Sequence, residues 1–124
     1  MSTIKANTLL HSDGSTTTQP SIPALDQRMA KAWAQFNTVG TVSITDSYNF
    51  SSITDQGVGR TDLNFTTAMS NTSYSALYQT RAIADNYGDA SYVQDQLTSK
   101  IHVKHYENNV TRDTVLNSVI VFGN

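Results

Sequence analysis

The chain has no cysteine among its 124 residues, so disulfide bonds and thiolate metal sites are excluded. Charged residues are also scarce, at 15%, and the formal net charge is only −2. The eight Lys and Arg residues are scattered rather than clustered, which argues against a nucleic-acid interface. No apolar run is long enough to cross a bilayer, and the N-terminal residues lack the apolar core of a secretory signal.

The chain is rich in Ser, Thr and Asn, and hydrophobic residues make up 38% of it. A chain of this length suits one domain with a short arm. Because the apolar residues are few for a hydrophobic core formed by this chain alone, we expect the chain to pack against neighbouring subunits.

Residues 1–22 are predicted to form an extended N-terminal arm. Ile4, Ala6 and Leu10 occupy even positions, which fits a short strand, and the polar sequence at 11–15 is typical of a turn. Pro20 biases the residue before it away from the helical region. The alternative is a terminus that becomes ordered only against another chain.

Residues 23–37 are predicted to form one short amphipathic α-helix. Pro23 suits the first helical turn, and Gly40 follows as a stop signal. The apolar face of this helix either covers an edge of the β domain or packs against equivalent helices around a symmetry axis. The candidate residues for this oligomer or docking interface recur at the helical period: Leu25, Met29, Trp33 and Phe36.

Residues 38–124 are predicted to form an antiparallel β-sandwich of jelly-roll-like type, so the fold class is mainly β. Short segments of alternating apolar and polar residues are separated by turns rich in Asp, Asn and Gly. This alternation predicts that Ile44 and Tyr48 share one face, and that Leu63 and Phe65 share another. The run 119–122 is almost wholly apolar, as in a strand buried on both sides.

The sequence contains no motif of a known catalytic or metal centre. It lacks a nucleophile elbow, a phosphate-binding Gly-rich loop and a His-Glu-x-x-His sequence. His102 and His105 are the best metal candidates, but their odd spacing predicts opposite faces of one strand. The acidic residues mostly lie in turn-like sequences rather than in a paired arrangement. We therefore expect no catalysis, no metal and no cofactor.

Tyrosines near one polar loop are the best candidates for recognition. Tyr combines an apolar ring with a polar tip, which suits interfaces and shallow sugar sites. The loop at 85–91 is predicted to project from the β domain, where loops commonly carry recognition. The candidate receptor-contact residues are Tyr87, Asp89 and Tyr92.

Three blocks occur in order within the first part of the β region. They read Gly-Thr-Val-Ser-Ile-Thr-Asp-Ser-Tyr-Asn at 40–49, Ser-Ser-Ile-Thr-Asp-Gln-Gly at 51–57 and Asn-Phe-Thr-Thr-Ala-Met at 64–69. Together they resemble a module of tail-fibre and other surface proteins of tailed bacteriophages, especially marine ones. The ending Val-Phe-Gly-Asn at 121–124 is similar to the ends of such modules.

The resemblance implies a non-enzymatic virion structural protein, a component of a tail fibre or spike on the particle surface. It also implies a homotrimer, an arm at 1–22 that attaches to other virion proteins, and a domain able to contact a host glycan or protein. Two alternatives remain open: a capsid decoration or head-fibre protein, and a lectin-like module that binds glycan. Neither nucleic-acid binding nor membrane insertion is expected.

Overall fold

The computed structural model describes residues 5–8, 10–15, 28–81 and 90–123. This part of the chain is mainly β, with two antiparallel sheets and no helix among the described residues. Its strands are β1 (Ala30–Asn37), β2 (Ser43–Tyr48), β3 (Phe50–Asp55), β4 (Arg60–Phe65), β5 (Ser75–Thr80), β6 (Ala90–Gln96), β7 (Lys100–Glu107), β8 (Val110–Thr111) and β9 (Asn117–Phe122).

The strands are divided between a four-stranded and a five-stranded sheet. The four-stranded sheet has the order β2-β1-β9-β5, and the five-stranded sheet has the order β3-β4-β7-β6 with β8 beside β7. The apolar strand β9 is central in its sheet, paired with both β1 and β5. On β9, Val119 and Val121 are buried, whereas Ile120 and Phe122 are half-buried. The prediction that this strand is buried on both sides is therefore confirmed for one face of β9, whereas its other face is only half-buried.

Buried residues of both sheets form one hydrophobic cluster. Phe50 and Phe65 stack at 4.9 Å between ring centroids, and Tyr74 meets Phe65 edge-on at 5.9 Å. The alternation predicted for Leu63 and Phe65 is confirmed, since both are buried. The cluster consists of Ala32, Ala34, Phe36, Phe50, Leu63, Phe65, Met69, Tyr74, Ile101, Val103, Val119 and Val121.

The helix predicted over 23–37 is wrong for its second half, because Ala30–Asn37 is the strand β1. The segment satisfies both periods: Ala32, Ala34 and Phe36 alternate as in a strand, and all three are buried. β1 pairs with β2 from Trp33 to Asn37 and with β9 from Ala30 to Phe36, so most of its backbone has hydrogen-bond partners in the sheet. The β region therefore begins at Ala30 rather than at residue 38, and residues 23–27 lie outside the described residues.

A bulge changes the face predicted for Tyr48. Gln35 pairs with Asp46 and Phe36 pairs with Ile44, so β2 carries one extra residue at this point. Ile44 packs against the hydrophobic cluster, while Tyr48 pairs with a residue of the outer face. The prediction that the two share a face is wrong because the bulge interrupts the alternation.

In the N-terminal arm, the turn predicted at 11–15 is confirmed. The Gly14 N–H donates to the His11 carbonyl at 2.8 Å, and the Ser15 N–H donates to Asp13 Oδ1 at 2.7 Å. The short strand predicted around Ala6 and Leu10 is not present within residues 5–8 and 10–15.

Asn49 connects the two sheets where the chain crosses from β2 to β3. Its backbone has a φ of 58°, a left-handed conformation that Asn tolerates better than most residues. Its Nδ2 donates to the carbonyls of Lys31 and Thr67, both at 3.1 Å, and its Oδ1 accepts from the Thr67 N–H at 2.7 Å. Asn49, the last residue of the block at 40–49, thus holds the block at 64–69 against β1.

Candidate functional site

An apolar row crosses the outer face of the four-stranded sheet. Trp33 pairs with Tyr48 on one side and with Ile120 on the other, and Ile120 pairs with Leu77. Directly opposed residues of antiparallel strands point to the same face. The neighbours of these residues along β1 and β9 are buried in the core, so the four side chains point outward. We call Tyr48, Trp33, Ile120 and Leu77 the outer apolar row.

The outer apolar row is accessible at both ends. Leu77 is 68% exposed and Tyr48 is 37% exposed, while Trp33 and Ile120 are half-buried. A polar row runs beside it, because Gln35 pairs with both Asp46 and Ser118. The face therefore offers one apolar stripe bordered by polar side chains, which is the composition of a protein contact surface.

The four residues predicted as an interface do not share a face. Trp33 lies in the outer apolar row, but Phe36 is completely buried in the core. Trp33 and Phe36 are three positions apart in the chain. Residues with this spacing lie on the same side of a helix but on opposite sides of a strand. Met29 precedes β1 and is 42% exposed, and Leu25 lies outside the described residues.

A polar cluster centres on Asp62, on the outer face of the five-stranded sheet. Lys100 Nζ and Gln56 Nε2 each donate to Asp62 Oδ2 at 2.9 Å. His102 Nδ1 contacts Asp62 Oδ1. These side chains cover the carboxylate so fully that the Asp62 side chain is only 2% exposed.

The ionised form of Asp62 is favoured by its partners. Burial alone would raise the pKa of Asp62, but hydrogen bonds from Lys100, His102 and Gln56 outweigh burial and hold the pKa below its ordinary value of 3.8. Asp62 is therefore an acceptor of hydrogen bonds at neutral pH and not a proton donor.

A shallow, open depression of about 350 Å³ lies over this cluster. Both acidic and basic groups line it, and its exposed lining surface is mostly polar. Its lining residues are Gln56, Arg60, Thr61, Asp62, Gln94, Asp95, Lys100, His102 and Val103. The volume lies at the lower end of the range of small-molecule sites, which is about 300–1,000 Å³.

Of the predicted receptor-contact residues, only Tyr92 lies within the described residues, whereas Tyr87 and Asp89 lie outside them. Tyr92 is part of strand β6 rather than of a loop, and it is 41% exposed. Its ring stacks on Tyr106 with centroids 6.0 Å apart and planes 6° from parallel. A hydrogen bond with Tyr106 raises the pKa of Tyr92.

His102 and His105 point to opposite faces of β7, as the sequence predicted. His105 is buried, and its Nδ1 lies 3.0 Å from Thr80 Oγ1 and 3.2 Å from Ser91 Oγ. Nowhere in the described parts of the chain do three His, Asp or Glu residues come together as metal ligands. Within the same residues, no helix has the length and apolarity needed to span a bilayer.

Sequence reasoning missed the Asp62 cluster. The alternation of Lys100 and His102 around buried Ile101 could have placed both on a solvent face. Pairing of β4 with β7 puts Asp62 directly opposite His102, and no local pattern reveals that pairing. Gln56 joins from the turn after β3.

No family model, no curated protein and no solved structure matches this chain.

Proposed function

We propose that this chain is a non-enzymatic structural protein of a bacteriophage virion, a component of a tail fibre or spike displayed on the particle. The arm at 1–22 attaches to other virion proteins, and the β region projects from the surface. The resemblance of the three blocks at 40–49, 51–57 and 64–69 supports the virion assignment.

The structural role of the blocks supports a framework function rather than a catalytic one. They contain strand β2, all of β3 except Phe50, and the end of β4, and Asn49 ties the first block to the third through Thr67. We further propose that the two sheets form a β-sandwich of jelly-roll-like type, which the hydrophobic cluster shared between them supports.

The state of Asp62 also favours a protein without catalytic activity. A general acid needs a carboxyl group with a raised pKa, as in glycosidases. Asp62 is the most buried carboxylate of the depression, and its partners lower its pKa. Asp95, the second carboxylate of the depression, lies opposite His102 on an exposed part of β6.

The observation that carries the proposed assembly is the outer apolar row. Soluble monomers rarely expose a continuous apolar stripe across a whole sheet face. We therefore expect another protein surface to cover the outer apolar row. We propose neighbouring copies of the chain as that cover, with the outer apolar row of one copy packed against a different part of the next. The phage resemblance implies three subunits, and such a heterologous contact closes into a ring of three.

Light scattering after size-exclusion chromatography tests this assembly. The expected mass is three times 13.6 kDa. Trp33→Ser and Leu77→Ser should each shift the chain toward the monomer, because they remove apolar area from the row and leave the core intact. The control is Val110→Ser, which removes an exposed apolar side chain on β8 and should keep the wild-type mass.

A monomeric wild-type chain would contradict the self-assembling fibre. Oligomers that persist in both the Trp33→Ser and Leu77→Ser chains would place the subunit contact elsewhere.

A further inference from the structure

Two cations lie directly opposite each other on the outer face of the five-stranded sheet. Arg60 on β4 pairs with Lys104 on β7. Directly opposed Cβ atoms of antiparallel strands lie about 4.5–5.5 Å apart, and like charges at such a position are destabilising. We therefore expect the pair to cost stability in the free protein.

No carboxylate compensates this pair within the described residues. The acid nearest to it along β4, Asp62, is already engaged by Lys100, His102 and Gln56. Two further ion pairs lie away from Arg60 and Lys104 in sequence: His11–Asp13 in the arm, and Arg112–Glu107 at the end of β7. An uncompensated like-charge pair on a sheet face is what an anionic ligand would neutralise.

An aromatic side chain extends the line that Arg60 and Lys104 form across the sheet. Tyr92 on β6 pairs with Lys104, so Arg60, Lys104 and Tyr92 form a line across three strands. We call these three residues the basic–aromatic row. The Tyr92 ring stacks on the Tyr106 ring, with the two planes nearly parallel. Arg60 also lines the depression over Asp62, which places hydroxyl-binding side chains such as Gln94 beside the row.

We propose that the basic–aromatic row is a binding site for an acidic sugar, a saccharide unit that carries a carboxylate, sulfate or phosphate group. The anionic group lies between Arg60 and Lys104, and the apolar face of the sugar ring packs against Tyr92. The polar side chains of the depression bind the hydroxyl groups. This inference deepens the proposed display function, on which its biological role as a receptor contact rests.

The charge distribution favours an acidic sugar over a nucleic acid. A nucleic-acid site needs a basic stripe that follows several phosphates. Here the basic group is confined to one pair, Asp95 lies in the same depression, and the whole chain has a net charge of −2. A sugar with one anionic group next to one ring therefore fits the basic–aromatic row.

The test is calorimetric titration of the full chain with matched sugars. The acidic probes are trigalacturonate, a sulfated disaccharide and a sugar phosphate, and galactotriose is the neutral counterpart of the first. At least one acidic probe should bind about tenfold or more tightly than its neutral counterpart, because a charged acceptor strengthens the hydrogen bonds to Arg and Lys. A single-stranded DNA oligonucleotide should bind more weakly than that probe.

Variants separate the site from general charge effects. Arg60→Gln and Lys104→Gln should each weaken acidic-sugar binding by about tenfold. Both variants should be at least as stable toward urea as the wild type, because each relieves the like-charge contact. Arg28→Gln removes an exposed cation outside the row and should bind as the wild type does.

Equal affinity for acidic and neutral sugars, or for none of the probes, would overturn the proposal, and so would preference for the oligonucleotide. Loss of binding together with loss of stability in the variants would also contradict it, because the cations would then belong to the framework. A monomer that binds the acidic probe would contradict the proposed assembly alone, whereas a trimer that binds none would contradict this site alone.

Discussion

Asp62 lies on the solvent side of β4, yet its side chain is almost completely covered by Lys100, His102 and Gln56. The cluster shows that an outward position on a sheet does not imply exposure, because long side chains of the neighbouring strand can fold over a short one. Its carboxylate is compensated by charge and by hydrogen bonds at the same time.

The lowered pKa of Asp62 predicts a contribution to stability that depends on pH. Since the folded-state pKa is below 3.8, the unfolded chain binds more protons in acid, and stability rises with pH in this range. The contribution is complete above about pH 5 and is lost as the pH falls through 3.8 and below.

Asp62→Asn should therefore cost about 2 kcal/mol at pH 7, since hydrogen bonds to a charged group contribute roughly 1.5–3 kcal/mol. The difference from the wild type should shrink toward pH 3 in urea titrations followed by Trp33 fluorescence. A difference that stays constant between pH 7 and pH 3 would mean that the charge of Asp62 does not stabilise the fold.

At the scale of elements, the turn between β3 and β4 packs against the end of β7. Gly59 has a φ of 66°, and its N–H donates to Asp113 Oδ1 at 2.7 Å. A Cβ atom at Gly59 would lie 2.6 Å from the Arg112 nitrogen and 2.7 Å from the His105 carbonyl oxygen. No side chain fits between these backbone segments.

Gly59→Ala should consequently destabilise the fold more than a glycine replacement of similar φ in open space. Gly40 provides that comparison, because its φ is 72° and a Cβ there meets nothing within 4 Å. We expect Gly40→Ala to cost about 1–2 kcal/mol for the left-handed backbone, and Gly59→Ala to cost about 2 kcal/mol more. Equal urea midpoints for the two variants would show that the turn can move away from β7.

For the whole molecule, Asn49 is one of the polar links between the two sheets. Its side chain makes three hydrogen bonds, to the backbone of Lys31 at the start of β1 and of Thr67 after β4. These contacts join segments that lie 18 residues away on either side along the chain.

Asn49→Gly keeps the backbone freedom and removes these hydrogen bonds, so it should cost about 1–3 kcal/mol. Asn49→Ala should cost about 1 kcal/mol more, because Ala disfavours the left-handed region. Asn108 is the control: its φ is 51°, and Asn108→Gly should leave the urea midpoint almost unchanged. If Asn49→Gly were equally neutral, the hydrogen bonds of Asn49 would contribute little to holding the two sheets together.

The failure of the helix prediction has a specific cause in β1. Apolar residues from Leu25 to Phe36 fit the helical period, but Ala32, Ala34 and Phe36 also fit the strand period. Local sequence cannot choose between these periods when Ala and one large apolar residue satisfy both. The segment forms a strand rather than a helix because β2 and β9 supply hydrogen-bond partners on both edges of β1.

Local sequence was sufficient to predict that Leu63 and Phe65 share a face of β4, because alternation with a period of two is a local property of a strand. It also determined the turn at 11–15 and the opposite faces of His102 and His105. Three features could be learned only from the fold: β1 is a strand, a bulge turns Tyr48 outward, and Arg60 lies opposite Lys104. Each of these depends on which distant strand lies alongside and in what register, and a residue's immediate neighbours in the chain do not encode that.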